Sequence, residues 1–206
     1  VSDLLRLAGA ENIRGIMYQD RAHVFVGWRT PIGTVIYGVL TQQWHTRGTL
    51  NSDTWRYTAI VTAGTRTFVA DADGIFDELS RDYTSEHMAD ASTMGTEIVR
   101  EFTAIAPALP NRIAINTVRL ESAKGVGLAA GQGSDPIVRM RFSVDGGNTW
   151  SPWRDRPLGV QGRYDQPTIW RRCGRAGRQD MVFWFSKSDP VKEAYLGVVI
   201  NEDEAA

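Results

Sequence analysis

The sequence predicts an all-β protein, with propeller-like β-hairpins followed by a β-sandwich-like domain that carries one Asp-box hairpin. Three observations lead there. Short apolar or β-branched runs recur with turns between them, at about 10 residues per strand and turn. Twenty glycines and eight prolines, spread along 206 residues, supply those turns. The run Ser143-Val144-Asp145-Gly146-Gly147-Asn148-Thr149-Trp150 has the Ser-x-Asp-x-Gly-x-Thr-Trp spacing of one specific hairpin turn.

Residues 1–10 suit a short helix, with Ser2 or Asp3 as cap before Leu4, Leu5 and Leu7. Residues 13–18 read as a strand, followed by the polar turn Gln19-Asp20-Arg21. Residues 23–28 alternate His23, Phe25 and Gly27 against Val24, Val26 and Trp28. Thr30-Pro31-Ile32-Gly33 is a turn before the β-branched run 34–40. Strands over 43–46, 57–62 and 66–70 follow, and Asp71-Ala72-Asp73-Gly74 ends that series. Ile75, Phe76, Leu79 and Tyr83 sit at rough helical spacing, so 75–90 is the second place for a short helix. Polar residues 82–103 suit a connection between two β regions. The expected division is a hairpin region over 1–95, a connecting segment over 96–107 and a sandwich-like domain over 108–206. There the β pattern restarts at 112–121, where Ile113 and Ile115 alternate with Ala114, Val118 and Leu120. A glycine-rich loop covers 124–135, and 137–144 is a strand. Strands 168–173 and 181–186 read as a hairpin around residues 174–180. A last strand over 194–200 precedes an acidic tail.

Composition narrows the function. Hydrophobic residues make up 42% and charged residues 23% of the chain, an ordinary globular balance. A net charge of −1 excludes a polybasic nucleic-acid binder. A single cysteine, Cys173, excludes an intrachain disulfide and a cysteine-rich metal site. Apolar runs are too short to span a bilayer, and the first residues, with Asp3 and Glu11, carry no apolar signal core. Arginine outnumbers lysine 20 to 3, and there are seven tryptophans. Both residue types favour interfaces, although a GC-rich genome also inflates arginine. Charge is unevenly placed: residues 71–101 hold nine acids against two arginines, and residues 136–180 hold nine arginines against four aspartates.

Candidate chemistry is sparse. In the Asp-box, Ser143, Asp145, Gly147, Thr149 and Trp150 are expected to fold the turn: Asp145 accepts backbone N–H groups, and Trp150 packs the base. The pattern occurs in sialidase propellers and in many other β proteins. A glycosidase needs two carboxylates facing a cleft, and a sialidase needs more boxes and more blades than 206 residues hold. His23, His45 and His87 lack zinc-ligand spacing, Cys173 lacks a paired base, and Gly125-Val126-Gly127 lacks the rest of a phosphate loop. No catalytic residue, metal or cofactor is expected. Arg171, Arg172, Arg175 and Arg178 form the best basic patch, which suits a solvated hairpin tip, a subunit interface or phosphate contact.

The motifs in order carry more than any one of them. They are residues 18–28 (YQDRAHVFVGW), Trp44-His45-Thr46-Arg47, Trp55-Arg56, 69–79 (VADADGIFDEL), Glu97-Ile98-Val99-Arg100-Glu101 and Val118-Arg119-Leu120-Glu121. Gly125-Val126-Gly127, 138–150 (VRMRFSVDGGNTW), Leu158-Gly159, Gly162-Arg163-Tyr164, 169–174 (IWRRCG) and 185–191 (FSKSDPV) follow. This series resembles the packaged-DNA-stabilising tail accessory proteins of short-tailed bacteriophages, the tail hub or nozzle proteins, in their C-terminal part. Trp44, His45 and Arg47, with Trp170, Arg171 and Arg172, are its most specific residues besides the Asp-box. The resemblance implies a virion structural protein without enzymatic activity, made in the host cytoplasm and located in the tail. It implies a homo-oligomeric ring, a hexamer, that extends the DNA channel below the portal and head-to-tail adaptor proteins. Such a ring retains packaged DNA, passes double-stranded DNA non-specifically and joins a tail needle, spike or fibre proteins. Two other readings of the residues stay open: a carbohydrate-binding β module or glycosidase fragment, and a baseplate or fibre-attachment protein.

Overall fold

Alternation of apolar and polar residues recurs along the chain, and the regular structure of the described residues is nearly all antiparallel strand. The structure, a computed structural model, describes residues 1–49, 51–80, 83–86, 96–192 and 194–201. The chain divides into two compact units, Val1–Thr96 and Glu97–Ala206. His87, Asp82, Asp90 and the acidic tail after Asn201 lie outside the described residues.

The first unit opens with α1 (Ser2–Ala8). Neither Ser2 nor Asp3 caps it: Val1 is the N-cap, and no side chain bonds the first turn. Strands β1 (Arg14–Asp20), β2 (His23–Thr30), β3 (Gly33–Gly38) and β4 (Gln43–Thr46) then form an up-and-down meander. The row Ile16–Gly27–Ile36–His45 crosses the sheet on one face, and Met17–Val26–Tyr37–Trp44 crosses it on the other. Gly27 is needed in the inner row. A Cβ there would lie 2.1 Å from the Val35 carbonyl oxygen, so no larger residue lets β2 and β3 approach this closely.

A second meander follows: β5 (Ala59–Ala63), β6 (Arg66–Ala70) and β7 (Phe76–Leu79). Tyr57 stands outside it, although strand propensity places it in a strand. Trp55 and Tyr57 instead leave the ladder and fill the space between the sheets, where both are buried with Ile16, Tyr18, Ile36 and Val69. The Thr67 hydroxyl ties the second meander to the first by donating to the Gln19 carbonyl at 2.8 Å. The helix expected over 75–90 is not formed where it is described: Phe76–Leu79 is a strand paired with β6. The spacing of Ile75, Leu79 and Tyr83 is overridden because Ile75 and Leu79 each reach the shared core from an extended backbone. Two-residue strands β8 (Ser85–Glu86) and β9 (Thr96–Glu97) follow.

The second unit is a sandwich. One sheet runs β10 (Arg100–Ala106), β17 (Met181–Lys187), β13 (Ile137–Ser143), β14 (Arg154–Pro157). The other runs β15 (Thr168–Arg171), β12 (Thr117–Ser122), β18 (Tyr195–Ile200). A small ribbon pairs β11 (Ile113–Ala114) with β16 (Arg175–Ala176). The core between the sheets holds Val118, Leu120, Val138, Met140, Trp170, Met181, Phe183 and Phe185, all essentially without solvent contact. Each such side chain contributes about 1.5–3 kcal/mol by leaving water.

Three expectations are corrected here. Residues 96–107 are no linker, because β10 pairs along its whole length with β17 and packs Phe102, Ala104 and Ala106 on the core. Its polar outward residues disguise a half-buried strand. The stretch 112–121 is two strands, β11 and β12, broken at Ile115 and Asn116. Strands 168–173 and 181–186 are not a hairpin. β15 pairs with β12 and β17 pairs with β10 and β13, in opposite sheets. Trp170 and Phe185 therefore meet across the core, edge to face at 5.6 Å.

Candidate functional site

The Asp-box closes the β13–β14 connection. Ser143 Oγ donates to Asp145 Oδ1 at 2.6 Å and accepts from the Gly147 N–H at 2.8 Å. Asp145 accepts from the Thr149 N–H at 2.8 Å and from the Thr149 hydroxyl at 2.6 Å. The hydroxyls of Ser143 and Thr149, then the Thr149 N–H, hold the Asp145 carboxyl down at about 2. Gly146 and Gly147 both take positive φ, 70° and 98°, which fits glycine in this turn. The carboxylate is thus spent on its own loop.

Beyond the turn, the connection brings together groups that sequence reasoning missed. The Arg141 guanidinium lies 4.2 Å from the ring centre of Trp184, 4.6 Å from Trp153 and 4.8 Å from Trp150. Three indoles so surround one cation on the outer face of the four-stranded sheet. Arg141 Nε and Trp184 Nε1 are buried and make no hydrogen bond among the described residues, so the rings hold the cation. Part of the signal was local, since Arg141 is an outward residue of a strand that leads into a Trp-x-x-Trp turn, but Trp184 comes from a strand distant in sequence.

A second seam joins the sheets. Arg156 Nε donates to the Ile169 carbonyl at 2.8 Å, and Arg154 donates to the carbonyls of Arg171 and Arg172. The buried Trp170 Nε1 donates to the Arg154 carbonyl at 2.7 Å. These bonds link edge strands β14 and β15, which belong to different sheets, and the rigid guanidinium fork lets two nitrogens of Arg154 reach two carbonyls. Cys173 is buried beneath, and burial raises its thiol pKa. Arg171, Arg172, Arg175 and Arg178 are all exposed, but on the crossover between the sheets rather than on a hairpin tip.

In the first unit the motif Trp44-His45-Thr46-Arg47 is split by strand alternation. Trp44 points outward, stacked on Trp28 at 5.7 Å and tilted against Tyr37 at 4.9 Å, and is half exposed. His45 meets Phe25 edge-on at 5.7 Å on the other face, and burial, then Arg47, lowers its pKa. The Arg47 guanidinium covers Trp55 at 5.0 Å and Tyr18 at 5.2 Å. Asp71, Asp77 and Glu78 of the 71–101 segment are engaged within this unit. Burial pushes Asp71 up, but the Ile75 and Asp73 N–H groups and Arg56 outweigh it, leaving the carboxyl low. The Tyr57 hydroxyl donates to Asp77, and Arg66 pairs with Glu78 through two bonds.

These arrangements define a class: an all-β protein whose arginines, tryptophans and carboxylates hold turns and sheets together. No group of His, Cys, Asp and Glu among the described residues could hold a metal ion. No described helix is long and apolar enough to cross a membrane. The sandwich also has a family. Residues 99–201, half of the chain, match the family described as "Bacteriophage P22 Gp10, beta-sandwich". The chain belongs to this family and is a structural protein of a phage tail. No curated protein sequence matches it. Among solved structures, an exo-β-1,3-galactanase from Phanerochaete chrysosporium, with galactose, aligns at 10% identity and a TM-score of 0.26. The alignment covers 92% of this chain and 57% of that enzyme, and a score this low does not indicate a shared fold.

Proposed function

We propose that the chain is a subunit of the tail hub or nozzle, in a homo-oligomeric ring, a hexamer, that prolongs the DNA channel below the portal and head-to-tail adaptor proteins. The family match over the sandwich carries this reading. In it, the ring retains packaged DNA, lets double-stranded DNA pass without specific contacts, and joins a needle, spike or fibre proteins distally. Assembly begins in the host cytoplasm. Near-neutral net charge supports the reading, because a strongly basic channel would hold the duplex and stall its exit. The arginines at 171, 172, 175 and 178 are the proposed interface or DNA-facing group, since exposed guanidinium groups clustered on one crossover suit bidentate contact with carboxylates or phosphates. The Asp-box is assigned a folding role.

The test is immunogold labelling of purified virions with an antibody to this chain, with copy number by quantitative mass spectrometry. Label at the tail with about six copies per particle is expected for a closed ring. About three copies would point instead to a baseplate or fibre-attachment protein. Particles without label would overturn both.

A further inference from the structure

The outer face of the four-stranded sheet holds a groove of about 420 Å³ that no structural role explains. We propose that it binds a neutral sugar ring. The groove lies entirely within the sandwich unit and beside the tryptophan cluster. Glu101 and Ser186 of β10 and β17 stand in the same cross-strand row as Arg139 and Asp155 of β13 and β14. Trp153 and Asp189 also line it.

Three features select the ligand. Its volume suits a small ring and falls in the range of about 300–1,000 Å³ typical of small-molecule sites, far below what a duplex needs. Its lining mixes signs at close range: Glu101 and Asp155 accept while Arg139 donates, whereas Asp189 is engaged by the Ile137 N–H at 2.6 Å and the buried Lys187 by the Val191 carbonyl. A polyanion meets the Glu101 and Asp155 carboxylates there and a polycation meets Arg139, whereas a ring of hydroxyls can use both kinds of partner. Arg139 and Asp155 are 3.9 Å apart and each half exposed, so neither is consumed by the other. The third feature is Trp153, which is 36% exposed. Its indole gives a flat apolar plate for the C–H face of a sugar. The Arg141 guanidinium at 4.6 Å and the edge contact with Trp184 at 6.3 Å fix that plate before any ligand arrives. A preformed platform spares the ordering cost that otherwise weakens small-ligand binding. The site is a property of this sandwich and holds whether or not the chain forms a ring.

The test is a titration of the full chain with methyl glycosides of glucose, galactose, mannose, rhamnose and N-acetylglucosamine. It is read by indole N–H shifts in NMR and by tryptophan fluorescence. Saturable binding of at least one glycoside, with Kd of roughly 1 mM, is expected. Trp153→Ala should weaken it at least about tenfold, and Phe76→Ala, an exposed aromatic in the other unit, should leave it unchanged. Glu101→Arg fills the groove from an exposed position away from the tryptophan cluster, and should abolish binding even if Trp153→Ala fails to fold. No saturable shift with any glycoside overturns the proposal. So does binding that survives Glu101→Arg, or a groove that takes up a DNA duplex and no sugar.

Discussion

Asp145 shows how much one carboxylate does when both of its oxygens accept hydrogen bonds from its own turn. Its folded pKa of about 2 lies below the ordinary aspartate value of about 3.9. A depressed pKa means stabilisation that is complete above the unfolded value and lost as pH falls through the folded one. Asp145→Asn should therefore be less stable than the parent chain at pH 7, and the gap should close as pH falls from about 4 to about 2. Urea unfolding at stepped pH values reads this directly, and a gap constant down to pH 2 would remove the carboxylate from the account. These residues were legible in the sequence, because a turn is built from near neighbours and its spacing records its hydrogen bonds. Arg141 was not. Its three rings come from its own strand's following turn and from β17, and nothing local marks Trp184 as their partner.

At the scale of elements, the seam between β14 and β15 carries the clearest consequence. Two sheets of a sandwich leave edge strands whose carbonyls need donors. Here Arg154, Arg156 and the Trp170 indole supply them. Arg154→Lys keeps the charge and loses the fork, and should cost about 1 kcal/mol in urea unfolding. A variant as stable as the parent would show that packing alone holds the edge. Strand positions were largely readable: β4 and β6 lie where alternation places them, and β2 and β3 differ only at their ends. The helix expected near residue 75 failed because apolar spacing over one short stretch suits both backbones. What the stretch packs against then decides, and Ile75 and Leu79 face a sheet core.

Two expectations belong to the whole molecule. Every described strand from β10 to β18 pairs within the sandwich, so residues 97–206 alone should unfold as one cooperative transition. A calorimetric enthalpy matching the van't Hoff value would show it, and a broad non-cooperative melt would show dependence on the first unit. Assembly offers the second. Asp71, Asp77 and Glu78 are engaged within the first unit, while Asp73 is exposed. If the arginine crossover meets that surface on a neighbouring subunit, Arg175→Glu should block ring formation and Asp73→Arg should restore it. Sedimentation velocity on the single and double variants measures this. Assembly intact in the single variant would remove Arg175 from the interface.

By itself the sequence determined the all-β character, the position of most strands, the Asp-box turn and the resemblance that the family match over residues 99–201 supports at the level of a phage tail protein. Each of these is local or is a pattern in order along the chain. Only the tertiary structure decided which strands share a sheet. Residues 168–173 and 181–186 look like hairpin arms, yet they sit in opposite sheets. Alternation says which side chains a strand buries, and both arms bury theirs in one core. It is silent on whether they reach that core from the same side, because that depends on β12 and β13, strands distant in sequence that claim the two arms as partners.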